Sequence, residues 1–150
     1  MNFGVILQNK VLWTGMAGWI LAQVLKIPID YFQSRRWNWA LFFAAGGMPS
    51  SHSALVTCTA MAVGLYHGFD TPLFGLAVAV SMVIVYDAAG IRRQAGMQAQ
   101  KINILVDELL KGHPISQEQL REVLGHTPLE ALGGVLLGLV VASGMWLLWR

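Results

Sequence analysis

Two histidines in this sequence stand beside apolar runs, where packing alone gives an ionisable side chain little reason to be. The first lies in Gly46-Gly47-Met48-Pro49-Ser50-Ser51-His52-Ser53, the second in Arg121-x4-His126-Thr127-Pro128-Leu129-Glu130. Each is expected at the first turn of a helix, where unpaired N–H groups and the positive end of the helix dipole form an anion site. In the first stretch the glycines allow close backbone approach to a ligand, Pro49 suits a helix start, and Ser50 and Ser51 supply hydroxyls. A serine-rich N-cap accounts for those serines without a ligand. It does not account for His52, because an ionisable group at the edge of a membrane span is costly. In the second stretch Thr127 and Glu130 form a T-x-x-E capping box with Pro128 at the first helical position. That leaves His126 and Arg121 unexplained. Glu130 can close the capping box or turn to hold the His126 ring, and the two uses compete.

Two imidazoles at helix starts, with arginines nearby, suit phosphoryl transfer. One histidine can attack phosphorus while a carboxylate fixes its tautomer and stabilises its cation. The other can protonate the leaving oxygen, and Lys or Arg can neutralise the phosphoryl oxygens. A third polar group is Tyr86-Asp87-Ala88-Ala89-Gly90-Ile91-Arg92-Arg93. Asp87 ends an apolar run, so it is expected to pair with Arg92 or with an arginine from another segment. A structural ion pair and a direct ligand role both stay open for it. His67 and His113 fall in loops and read as solvated or interfacial. The single cysteine, Cys58, rules out an internal disulfide and offers no second thiolate for zinc. It reads as a small buried residue.

The elements that must position these groups are membrane helices. Hydrophobic residues make up 55% of the 150-residue chain and charged residues only 12%, against roughly 25% charged in soluble domains. The length argues for a single domain, residues 1–150. Residues 11–27 form the first apolar segment, with Lys26 near its end and Pro28 just beyond; no cleavage site follows, so it reads as a retained span. Residues 28–38 read as a polar break carrying Asp30, Arg35 and Arg36, and residues 37–48 as an apolar segment only half a membrane thick. That segment is either re-entrant or a full span completed by its neighbours. Helices follow over residues 54–65, 73–89 and 129–149, the first two antiparallel across a short loop. In residues 92–127, Ile102, Leu105, Val106, Leu109 and Leu110 fall at helical spacing, and Ser116 with Gln119 makes a capping box. Two amphipathic helices are therefore expected there. The fold class is an all-α integral membrane bundle, with about four to five membrane segments and one or two amphipathic surface helices.

If residues 37–48 re-enter, Lys26, Arg35, Arg36, Arg92, Arg93, Lys101, Lys111 and Arg121 gather on one side, leaving Lys10 and Arg150 on the other. Lys and Arg mark the cytoplasmic side. The expectation is a site facing the cytoplasm from a bacterial cytoplasmic membrane, with both termini outside.

These segments resemble the type-2 phosphatidic acid phosphatase and vanadium haloperoxidase superfamily, whose motifs are K-x6-R-P, P-S-G-H and S-R-x5-H-x3-D. Pro49-Ser50-Ser51-His52 is similar to the second, with Ser51 in place of glycine. Arg121-x4-His126-x3-Glu130 is similar to the third, one residue shorter and with glutamate for aspartate. Lys26-x8-Arg35-Arg36 is a loosened form of the first. Nearly the whole chain resembles that superfamily's divergent branch of bacterial and plant membrane proteins, through G-G-M-P-S-S-H-S-A, Y-D-A-x-G-I-R-R and G-H-T-P-L-E. The resemblance implies His126 as the nucleophile that forms a phosphohistidine, Glu130 as its orienting partner and His52 as general acid. It implies phosphate contacts from Arg121, Ser50, Ser51 and Lys26 or Arg35, with Arg92 and Asp87 as further candidates. It also implies that no metal or cofactor is required.

The function expected is hydrolysis of a lipid or isoprenoid phosphate within the membrane, as a phosphoric monoester or diphosphate hydrolase. The alternative is a non-catalytic membrane protein that binds anionic lipid head groups or scaffolds a partner, with Gly133, Gly134 and Gly138 permitting close helix packing. A small transporter ranks last, since Asp87 alone lies well inside a span. The expected partners are a lipid phosphate substrate and membrane lipids, not nucleic acid; self-association into a homo-oligomer stays open.

Overall fold

The computed structural model describes residues 3–43, 46–109 and 126–149. In hydrocarbon the backbone must satisfy its own N–H and C=O groups, so apolar runs fold as helices. The order is α1 (Phe3–Leu7), α2 (Lys10–Ser34), a short 3-10 helix (Trp39–Phe43), α3 (Ser51–His67), α4 (Pro72–Ala89), α5 (Ile91–Leu109) and α6 (Pro128–Leu148). No strand occurs among the described residues. The chain is an all-α membrane bundle. Three stretches are long and apolar enough to cross a bilayer: Lys10–Phe32, Pro72–Val106 and Pro128–Leu148.

The central helix is α3, which packs against α2, α4 and α6. Its buried face is built from small residues, among them Ser53, Ala54, Cys58, Ala62 and Gly64. Lipid tails are as apolar as leucine, so close backbone approach rather than water exclusion holds such helices together. Glycines make that approach possible. A Cβ on Gly134 would collide with the Ser50 carbonyl oxygen, and one on Gly138 would lie 2.9 Å from both the Ala54 oxygen and the Cys58 nitrogen. On the other flank a Cβ on Gly18 would lie 2.9 Å from Cys58 Sγ.

These contacts also set the directions. Gly15 and Gly18 face Thr59 and Cys58 in reversed order, so α2 runs antiparallel to α3. Gly134 and Gly138 advance with Ser50 and Cys58, so α6 runs parallel to α3. The starts of α3 and α6 and the finish of α2 therefore share one end of the bundle. At the opposite end, Lys10 Nζ donates to the Trp149 carbonyl oxygen at 2.7 Å and lies 5.4 Å from the centre of the Tyr66 ring. That lysine joins the start of α2 to the ends of α3 and α6.

The structure departs from the sequence reading in two places, at Pro28 and Pro49, and bears on residues 37–48, which the sequence left open. The helix of the first apolar segment, α2, does not stop before Pro28 but passes through it to Ser34. A proline removes one backbone bond, and membrane helices absorb that loss where neighbours re-satisfy the freed group. Residues 37–48 form no spanning helix among the described residues: the five-residue 3-10 helix is followed by a turn into α3. Pro49 is not the first helical residue, since Ser50 is the N-cap of α3. One amphipathic helix, α5, is present; the second expected helix, with Ser116 and Gln119, lies outside the described residues, as does the loop residue His113.

Candidate active site

Two helix N-termini build this end of the molecule. At α3, Ser50 Oγ accepts from the Ser53 amide at 3.3 Å and from Ser53 Oγ at 3.1 Å. At α6, Thr127 Oγ1 accepts from the Glu130 amide at 3.3 Å, while Glu130 Oε2 accepts from the Thr127 amide at 3.0 Å. The capping box read from the sequence is thus complete. The same Glu130 Oε2 lies 3.1 Å from His126 Nδ1. Capping and ring-holding do not compete as the sequence suggested, because one carboxylate oxygen has lone pairs for both donors. With its proton on Nδ1, His126 donates to Glu130 and carries its lone pair on Nε2.

The tertiary fold sets where His126 sits. Its amide donates to the Ala88 carbonyl oxygen at the end of α4, at 3.0 Å, and its side chain is buried. The Ser50 amide donates to the Glu130 carbonyl oxygen at 2.9 Å, which holds the two helix starts side by side. As a result the His52 and His126 rings, 74 positions apart (126 − 52), lie with centroids 6.0 Å apart and planes at 61°.

Lys26 reaches the site from α2. It is 1% exposed and within Coulombic reach of Glu130. It lines a cavity of about 220 Å³ with Asp30, Gly47, Met48, Thr127 and Glu130. Asp30 was not singled out in the sequence. It shares the Lys26 face at a spacing of four, a relationship visible only once the helix continues through Pro28. Gln23 was also overlooked, while Ser53 was read only as one of the three serines of the first stretch. Gln23 is 6% exposed, and its Oε1 has no partner among the described residues; a polar residue three positions before Lys26 was the signal available.

The other expected residues separate. Ser50 and Ser51 are buried beneath the helix start, and the Ser50 hydroxyl is engaged in the cap. Arg35 is exposed at the left-handed C-cap of α2, with φ 57°, roughly 13 Å along the helix from Lys26. Asp87 is half-buried and borders a shallow recess with Met82, Val83 and Tyr86. Arg121 lies outside the described residues, as does the side chain of Arg92. Cys58 is buried, as expected, and His67 is exposed at the far end of α3.

Residues 7–141 of this chain match the profile of the Divergent PAP2 family. The chain belongs to that family. This Divergent PAP2 protein is also 41% identical, over 152 residues, to the Uncharacterized membrane protein YuiD of Bacillus subtilis (strain 168). That match covers 91% of this chain and 96% of the relative. No solved structure matches the Divergent PAP2 chain significantly.

Proposed function

We propose that this protein is a membrane phosphatase that hydrolyses a lipid or isoprenoid phosphate through a phosphohistidine, without a metal. One observation carries the reading: the His52 and His126 rings stand 6.0 Å apart while Glu130 holds His126 Nδ1. That separation brings the two imidazoles close enough to act on one phosphoryl group, one as nucleophile and the other as proton donor to the leaving oxygen.

In the first step His126 Nε2 forms a bond to phosphorus. The bond from phosphorus to the lipid oxygen breaks, its electron pair stays on that oxygen, and protonated His52 donates its proton there. Glu130 stabilises the imidazolium as it forms. In the second step neutral His52 takes a proton from water as the water oxygen attacks phosphorus. The N–P bond returns its pair to Nε2, and inorganic phosphate leaves. Charge on the phosphoryl oxygens is met by the starts of α3 and α6 and by Lys26. Likeness to the superfamily motifs adds Arg121, Ser50 and Ser51 as phosphate contacts. The basic pair Arg35 and Arg36 at the same end supports a site facing the cytoplasm in a bacterial cytoplasmic membrane.

The second reading is a non-catalytic protein that holds anionic head groups. It is favoured by the engagement of the Ser50 hydroxyl within the cap and by Ser51 standing where the superfamily motif has glycine. The deciding experiment is phosphate release from lipid phosphates by purified protein in detergent with a chelator present. Release is expected from the parent and absent from His126→Ala, with an acid-labile phosphohistidine trapped on the parent by rapid quenching. Equal release by His126→Ala would overturn the phosphatase reading.

A further inference from the structure

The turn after α2 sends the chain back along the helix it has just left. Arg35, the C-cap, has φ 57°, and its amide donates to the Tyr31 carbonyl oxygen at 2.9 Å. Ser34 Oγ donates to Asp30 Oδ2 at 3.1 Å and accepts from the Arg36 amide at 3.3 Å. Beyond that turn the Trp37 ring stacks on Tyr31, with centroids 4.5 Å apart and planes at 22°, and Trp39 continues the stack at 6.0 Å. Leu41, in the short 3-10 helix, shares a cavity wall with Lys26, Ile29 and Asp30. Those three lie roughly 3–9 Å inside Phe32 along α2, and Phe32 closes the first apolar stretch long enough to cross the bilayer. Residues 37–43 therefore stand beside the last turns of a membrane span and not beyond them.

The bundle does not cover this segment. No residue of the 3-10 helix is buried, and Trp39 is 69% exposed and Phe43 87%. Water is a poor neighbour for so apolar a surface. The bilayer centre is a poor one too. A five-residue 3-10 turn pairs fewer of its backbone groups than a spanning helix does. Arg35 and Arg36 come immediately before it, and guanidinium groups stay near the head groups. All three features suit the boundary between head groups and acyl chains, where indole rings collect and backbone still meets water. The exposed Phe32 side chain lies at the same level on α2, so the aromatic patch continues the lipid-facing surface of that span.

We infer that residues 37–43 form an in-plane lipid anchor. It is set into the head-group boundary of the leaflet at the candidate site's end and held there by the Tyr31–Trp37 stack, with Arg35 and Arg36 on lipid phosphates. Such a segment neither spans the bilayer nor dips to its centre. Through Leu41 the anchor walls the cavity that Lys26 and Glu130 also line. Its partner is the bilayer itself, whether or not the protein hydrolyses a phosphate.

The test is the depth of a nitroxide spin label on the full-length protein in vesicles of mixed zwitterionic and anionic phospholipid. Each label is placed in a Cys58→Ala background, and its depth is read from its accessibility to oxygen and to a water-soluble nickel chelate. Labels at Trp39→Cys and Phe43→Cys are expected roughly 5–10 Å below the lipid phosphates, and one at Asn38→Cys at head-group level. Val80→Cys, midway along α4 and exposed, marks the bilayer centre, and Asp70→Cys, in the turn before α4, marks water. Trp37→Ala should raise the Phe43→Cys label to head-group level or above, while Trp37→Phe should keep it deep. Labels at Trp39→Cys and Phe43→Cys that match Asp70→Cys, that match Val80→Cys, or that protein shields from both reagents would overturn the anchor. A Phe43→Cys label left at its depth by Trp37→Ala would overturn the part assigned to the stack.

Discussion

The Ser50 amide donates to the carbonyl oxygen of Glu130 at 2.9 Å. This bond joins the two motifs that carry the histidines, and it fixes the offset between two parallel helix starts. Small residues on both sides make it reachable. A side chain larger than hydrogen at Gly134 would stand in the Ser50 carbonyl. The placement of His52 beside His126 therefore depends on close packing of α3 and α6 one turn below them.

The two duties of Glu130 can be separated. Thr127→Ala removes one cap bond, costs about 1 kcal/mol and leaves the His126 contact in place. A thermal melt in detergent should shift down by several degrees while most phosphate release is kept. Glu130→Gln retains an acceptor for the Thr127 amide but loses the charge that stabilises the imidazolium. Its kcat should fall on the order of 10²–10⁴-fold with little change in melting. Equal melting and equal loss of activity in the two variants would contradict this division.

Leaving-group chemistry separates the two histidines. His52→Gln should slow formation of the phosphohistidine from an alkyl phosphate about 10²–10⁴-fold in a rapid-quench experiment, and far less from an aryl phosphate, whose leaving oxygen needs no proton. His126→Ala should abolish it from both. A His52→Gln variant that forms the intermediate equally slowly from the two substrates would exclude His52 as the acid.

Helix packing gives a contrast among glycines. Gly134→Ala places a methyl group against the Ser50 carbonyl and should destabilise by about 1–3 kcal/mol. Gly144→Ala meets nothing within 4 Å and should melt like the parent. Comparable melting of the two would mean that α3 and α6 lie farther apart than described.

Cys58 supplies a readout of folding. It is fully buried, and its Sγ donates to the Thr14 carbonyl oxygen at 3.0 Å. A maleimide should leave the native protein unlabelled and react with one thiol per chain after unfolding, tracking the melt of the variants above. Rapid native labelling would show that α2 and α3 part readily.

The path of residues 37–48 is open to a topology test. In a Cys58→Ala background, Asn38→Cys should react with an impermeant maleimide from one side of the membrane and Asp70→Cys from the other. Labelling of both from the same side would restore residues 37–48 as a spanning segment.

Composition and the length of the apolar runs determined that this is a helical membrane protein, because a chain 55% hydrophobic and 12% charged has too few charges for an ordinary water-facing surface and its long apolar runs suit membrane helices. Capping chemistry determined where α6 begins, since Thr127, Pro128 and Glu130 act on their own local backbone. The continuation of α2 through Pro28 was not legible, because the cost of a proline depends on which neighbours satisfy the freed carbonyl. With it went the shared face of Lys26 and Asp30. The 6.0 Å approach of His52 and His126 was also undecided in the sequence. It depends on α3 and α6 running parallel at a particular offset, which follows from glycines meeting backbone across the interface and from the Ser50–Glu130 and His126–Ala88 bonds. Those are relations between distant segments, and local pattern has no term for them.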